Sequence, residues 1–224
     1  MNVAEQLQQV RERIAAACAR AGRDAGEVVL VAVTKTHPAE IVREALAAGQ
    51  LDFGENYVQE LVAKHDAVGE GPRWHYIGHL QRNKVKHVAP WVHLIHTVDA
   101  LPLAEEIDKR AAAYERHIGV LVQVNVAGEE QKSGCAPDVV AGLLRAASAL
   151  PHLELRGLMT MPPFWPAEQV RPFFRALREL RERLRGETGL PLPELSMGMS
   201  ADFEVAVEEG ATMVRVGTAI FGAR

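Results

Sequence analysis

Apolar and polar positions alternate along the chain in two textures. In MNVAEQLQQVRERIAAACAR, apolar side chains recur at Val3, Leu7, Val10, Ile14 and Cys18, spaced by four, three, four and four residues. That is the stripe of an amphipathic helix. From Val28 onward, short apolar runs take over: VVLVAVTK, LDFGEN, RWHYIGH, HLIHTVD, IGVLVQVNV, LELRGLMTM, LPELSMGM and TMVRVGTAIFG. Between them lie helical patterns: PAEIVREALAAG, YVQELVAKHDAV, LQRNKVKHVAP, ALPLAEEIDKRAAAYERH, APDVVAGLLRAASAL, AEQVRPFFRALRELRERLRGE and SADFEVAVEEG. Near-continuous apolar strands are those covered on both faces. Strand then helix, repeated, predicts parallel β/α units.

Eight strands predict an α/β fold of the TIM (β/α)8 barrel type, with the first helix as an N-terminal addition. An open doubly wound sheet is the alternative, but no G-x-G-x-x-G turn follows the first strand. No linker divides the 224 residues, so 1–224 is expected to be a single domain. Composition adds little: 48% hydrophobic, 24% charged, net charge −4. Such a charge gives no reason to expect nucleic acid as a partner, and QRNKVKH reads as a helix surface. Two cysteines, Cys18 and Cys135, form no disulfide framework, which makes a cytoplasmic setting the default. The N-terminus has neither a signal-peptide core nor a membrane span.

In a barrel, functional residues gather at the carboxyl ends of strands. Lys35, Asn56, His79, Asp99, Asn125, Met161, Ser200 and Thr218 all fall there. Loops at those ends also need capping and turn residues, which is the preferred reading for Asp99 and Asn125. Lys35 shares a strand face with Val29, Val31 and Val33. On this segment alone it reads as a lysine reaching water from a strand end. If the face points inward, desolvation lowers the amine pKa and favours Schiff-base chemistry.

The C-terminal motifs alter that reading. Met197, Gly198 and Met199 form a turn, with Ser200 as a helix N-cap, and the last strand ends in Gly217 and Thr218. Barrel phosphate sites lie at the loops after strands seven and eight. Arg215, inside MVRVGT, must be paired if buried. The structural reading gives it a carboxylate such as Glu55 or Glu194.

A strand-one lysine, a phosphate cradle and an inward arginine together suggest pyridoxal 5′-phosphate (PLP). The segments VAVTKTHPAE, FGENYVQEL, WHYIGHLQRNK, LRGLMTMP, LSMGMSADFEVAVEEG and TMVRVGTAIFGAR closely resemble the PLP homeostasis family (YggS/PROSC type). That resemblance implies the fold of the N-terminal barrel of alanine racemase, and PLP held by Lys35 as an internal aldimine. It implies Ser200, Gly217 and Thr218 on the phosphate, Arg215 facing the pyridine nitrogen, and Asn56 and Met199 lining the pocket. It further implies a role in PLP homeostasis, with no established catalysis. PLP and apo-PLP-dependent enzymes are the implied partners. Independently of the resemblance, no apolar span points to a membrane and no exposed apolar stripe demands a dimer, so a monomer without a membrane role is expected. Relatives often run slightly beyond FGAR, so a short tail can be missing.

Two enzyme readings compete. A racemase would need an opposite-face base from a second domain, and only GAR follows the last strand. A Schiff-base aldolase would need an acid/base partner, for which His79 or His75 stands near; both read more simply as strand-end residues. Lys132 in EEQKSG is a rival lysine in a polar loop, and the scattered histidines lack zinc spacing.

Overall fold

The computed structural model describes residues 2–129, 131 and 133–222. Its parallel strands are β1 (Val29–Val33), β2 (Asp52–Glu55), β3 (Arg73–Tyr76), β4 (Leu94–Val98), β5 (Ile118–Gln123), β6 (Leu153–Met159), β7 (Glu194–Ser196) and β8 (Met213–Val216). They close in chain order, with β8 pairing back onto β1 through Val31 and Arg215. The helices are α1 (Val3–Arg20), α2 (Ala39–Ala47), α3 (Val58–Val68), α4 (Val85–Val88), α5 (Leu101–Ala113), α6 (Val140–Ala147), α7 (Ala167–Thr188), α8 (Phe203–Glu208) and α9 (Thr218–Phe221). Each apolar run contains a strand and each helical pattern a helix, so the protein is a TIM-type barrel with an added N-terminal helix. Among the described residues, no helix is long and apolar enough to cross a membrane.

Helix α1 follows from its stripe. Val3, Leu7, Val10, Ile14 and Cys18 are all buried, and Asn2 caps the helix by accepting the Ala4 amide at 3.1 Å. The helix packs against α8 and α9. Arg13 pairs with Glu204 at 3.1 Å and Arg20 with Glu208 at 2.7 Å along that seam. In the basic segment, Val85 and Val88 turn inward while Lys86 and His87 stay exposed, as expected of a helix surface.

One boundary differs from the pattern. The last strand is expected to end in Gly217 and Thr218, but β8 stops at Val216 and Thr218 already opens a helix. There the Gly217 carbonyl accepts from the Ile220 and Phe221 amides, both at 2.9 Å, which winds Thr218–Phe221 into α9.

The interior of the barrel has two parts. Leu94, Leu121, Met159 and Met213 form an apolar cluster with Val29. Polar side chains from β2, β3, β4, β7 and β8 occupy the rest: Asp52, His75, His96, Ser196 and Arg215 are all buried.

Candidate functional site

The carboxyl ends of β1, β2, β7 and β8 carry the predicted residues. Lys35 lies in the turn two residues past β1 and is half-buried. Val33 is level with Gly54 on β2, so continuing that register puts Lys35 level with Asn56. On the other side Val31 pairs with Arg215, so Arg215 sits four positions deeper along the wall than Lys35. Asn56 is half-buried, and its carbonyl accepts the Tyr76 hydroxyl at 3.0 Å.

The Lys35 turn is held from beneath. Lys64 on α3, itself buried, donates to the Thr34 carbonyl at 2.6 Å and to Glu55 Oε1 at 2.5 Å. Thr34 Oγ1 donates to the same Glu55 oxygen at 2.6 Å. Glu60, one helical turn before Lys64, accepts the Thr36 amide at 2.7 Å. Thr36 has a φ of 63°, an uncommon conformation for a β-branched residue. The clamps on Thr34 and Thr36 therefore fix the backbone on both sides of Lys35. Burial raises the Glu55 pKa, against the pull of Lys64 and Thr34.

At β7 and β8 the predicted cradle has a definite shape. The amides of Gly217 and Ala219 both donate to Ser200 Oγ, at 3.2 and 3.3 Å. Ser200 therefore does not cap α8, contrary to the sequence expectation. Asp202 occupies that helix's N-cap position, and its carboxylate accepts the Met199 amide at 2.6 Å. With that turn closed by Asp202, the Ser200 hydroxyl is left to meet the start of α9. Gly198 is forced at this turn: its φ is +93°, and a Cβ would come within 2.6 Å of Ala206 Cβ. A Cβ at Gly217 would stand 3.1 Å from the Val33 carbonyl, so this glycine lets β8 pass close to the end of β1. Met199 is half-buried in the same turn and Thr218 is exposed at the first position of α9.

Arg215 lies below the cradle and is 3% exposed. Its partners correct the sequence expectation of a carboxylate. It donates to Ser196 Oγ at 2.6 Å and to the Thr160 carbonyl at 2.9 Å. Glu55 is taken by Lys64, and Glu194 by Arg156 at 3.3 Å and the Thr212 hydroxyl at 2.6 Å. Burial lowers the Arg215 pKa to about 10, with Asp202 opposing, so it stays cationic near neutrality.

A model of the alanine racemase N-terminal domain matches residues 6–224. The pyridoxal phosphate homeostasis protein of Aquifex aeolicus (strain VF5) is 49% identical over 226 residues, covering 100% of this chain and 99% of that protein. The chain belongs to the pyridoxal phosphate homeostasis protein family. Among solved structures, PipY of Synechococcus elongatus PCC7942, with PLP bound, is 37% identical with a TM-score of 0.87. That match covers 98% of this chain and 100% of PipY. Alanine racemase of Corynebacterium glutamicum, at 20% identity and a TM-score of 0.71, shares the fold. This chain spans 62% of that enzyme.

Against this homeostasis-family background, the two histidines weighed as acid/base partners separate. His79 lies exposed beyond β3. His75 is not a strand-end residue: it sits within β3, 1% exposed, in contact with Asp52 and His96. Burial holds its pKa down against the pull of Asp52. Lys132 lies outside the described residues. Sequence reasoning missed Lys64, although it follows Val58 and Leu61 at helical spacing on a buried face, where a lysine is unusual.

Proposed function

We propose that this protein binds pyridoxal 5′-phosphate at the carboxyl end of its barrel and serves PLP homeostasis as an intracellular carrier or buffer, without robust catalysis of its own. Lys35 is the covalent anchor. Ser200, Gly217 and Thr218 take the phosphate, Arg215 faces the ring nitrogen, and Asn56 and Met199 line the pocket. The observation that carries this reading is the cradle itself: two backbone amides converging on the Ser200 hydroxyl, with a buried arginine below on the adjoining strand. Oxygen-rich anions are bound by such donors, and the arginine supplies a fixed positive charge at the base of the pocket. The PLP named in the PipY structure supports the same ligand.

PLP, when bound, supplies an aldehyde that condenses reversibly with amines, which suits holding and release. The residues around it favour holding. A catalytic pyridine nitrogen is usually kept protonated by a carboxylate. Arg215 has N–H donors only and accepts no proton. Its charge disfavours a protonated ring nitrogen and so opposes electron withdrawal. Apo-PLP-dependent enzymes are the acceptors in this reading, and residues 1–224 work as one cytoplasmic, monomeric unit.

Borohydride reduction of the PLP-loaded protein, followed by peptide mapping, should place the pyridoxyl label on Lys35. A label found chiefly on Lys84 or Lys132 overturns the anchor. Incubation with L- and D-amino acids should give no racemisation, transamination or decarboxylation above a Lys35→Ala control. Robust turnover that disappears in that variant makes the protein an enzyme.

A further inference from the structure

The polar part of the barrel interior extends well beyond the pocket. His75 Nε2 lies 3.0 Å from Asp52 Oδ1, and His75 Nδ1 lies 2.9 Å from His96 Nε2. His96 Nδ1 lies 2.8 Å from Ser196 Oγ, the oxygen to which Arg215 donates. Side chains from β2, β3, β4, β7 and β8 thus form one continuous chain across the interior. Its Asp52 end meets a cavity of about 380 Å³ at the amino-terminal end of the barrel, lined also by Arg11, Gln50 and Arg73.

The proton positions follow by elimination. Burial would raise the Asp52 pKa, but hydrogen bonds from His75 and Arg73 hold it below its ordinary value. It is therefore a carboxylate, which only accepts, so His75 Nε2 carries a proton. Burial keeps His75 neutral, leaving Nδ1 bare, and so His96 Nε2 donates to it. Burial also keeps His96 neutral, and the positive charge of Arg215 adds to the effect. Its Nδ1 is then bare and receives the Ser196 hydroxyl proton. The Ser196 oxygen is left to accept from Arg215. Every donor points from Arg215 toward Asp52.

We propose that Asp52, His75, His96 and Ser196 form a one-directional hydrogen-bond relay that locks Arg215 in the orientation it needs to face the cofactor's ring nitrogen. His96 and Ser196 are its positioning residues. This rests on PLP being the ligand. The titratable and charged groups around the two imidazoles are Asp52 on β2, Arg73 on β3, His93 before β4, Arg156 on β6 and Arg215 on β8. His93 packs edge-on against His75 with ring centroids 5.4 Å apart. Among these groups Asp52 is the only anion, so the relay has one acceptor terminus. Reversing its direction would leave the Asp52–His75 contact without a proton. Among the described residues, two bonds hold the guanidinium, to Ser196 and Thr160, and only the first is tunable by side-chain replacement.

The test has two arms. In ligand-free protein, nitrogen-15 NMR of the imidazoles should show His75 and His96 neutral, each with its proton on Nε2. A proton on Nδ1 of His96, or a charged His96 near neutral pH, overturns the relay. In PLP-loaded protein, Ser196→Ala should weaken PLP binding by about tenfold or more, the effect of losing one charge-assisted bond. It should also shift the pH profile of the bound cofactor's absorption. Ser196→Thr should restore both, and His96→Phe should reproduce the Ser196→Ala profile. Wild-type affinity and profile in Ser196→Ala overturn the proposal even if His96→Phe fails to fold. Wild-type protein that takes up no PLP overturns the proposed function, while the tautomer measurement still decides the relay.

Discussion

Two buried polar assemblies flank the pocket, and they solve the cost of burial differently. Under Lys35, outside the barrel wall, Lys64 and Glu55 form a buried ion pair at 2.5 Å, and Glu55 Oε2 is buried without a partner among the described residues. Under Arg215, inside the barrel, neutral histidines and a serine separate the guanidinium from Asp52, and each of the linking atoms has a partner. A buried ion pair holds its geometry by strong attraction but is fragile once a partner is lost. A satisfied neutral chain gives up attraction for a directed set of contacts. The turn that carries the proposed anchor is thus clamped by charge, while the arginine is oriented by hydrogen-bond direction.

Replacing single partners tests that contrast. Lys64→Ala should have the largest effect, leaving Glu55 buried and unpaired, with a loss of about 3–5 kcal/mol in urea denaturation. Lys64→Met combined with Glu55→Leu should recover most of it; no recovery would mean that the pair is more than an ion pair. Next comes acid sensitivity. Burial lowers the pKa of His93 to about 4, and burial also depresses His75 and His96. The unfolded chain binds these protons near the ordinary histidine value of about 6.5. It therefore binds more protons than the native state as pH falls from there toward 4. The stability from these groups is full above that ordinary value and lost on acidification through the window. Urea midpoints measured from pH 7 to pH 4 should fall, and His93→Gln should flatten the slope.

Smaller still is Ser200→Ala, which should weaken PLP binding by roughly 1.5–3 kcal/mol in a fluorescence titration. Binding of unphosphorylated pyridoxal should hardly change, and an equal loss for both ligands would remove the phosphate role. The smallest effect belongs to Arg73→Ala. Arg73 is half-exposed where it meets the buried Asp52 at 2.5 Å, and an ion pair whose cation is open to solvent contributes about 1 kcal/mol to stability. A much larger loss would show that Arg73 anchors the outer end of the relay.

The barrel was legible because eight apolar runs alternate with helical stripes, a local signal that survives without knowledge of contacts. The strand-end positions of Lys35, Asn56, Ser200 and Gly217 were legible because strand ends can be read from where those runs stop. The Arg215 partners were not, since Ser196 lies on β7 and Thr160 just past β6, and neither carries the charge that a guanidinium suggests. The same holds for Ser200: a serine before a helix looks like its cap until Asp202 is seen to take the turn. His75 and His96 did leave a trace, alternating with Trp74, Tyr76, Ile95 and Thr97 in buried strands. One sequence could not show that the two rings touch.

The closure of β8 onto β1 has a consequence for recognition. A sheet closed in this way offers no free strand edge along the barrel for another chain to extend. Any protein that receives PLP from this one must therefore dock on helix faces or βα loops, reading side chains instead of backbone. Around the pocket end those loops present Tyr57, Met161, Phe164 and Trp165 to solvent, with Phe164 92% exposed.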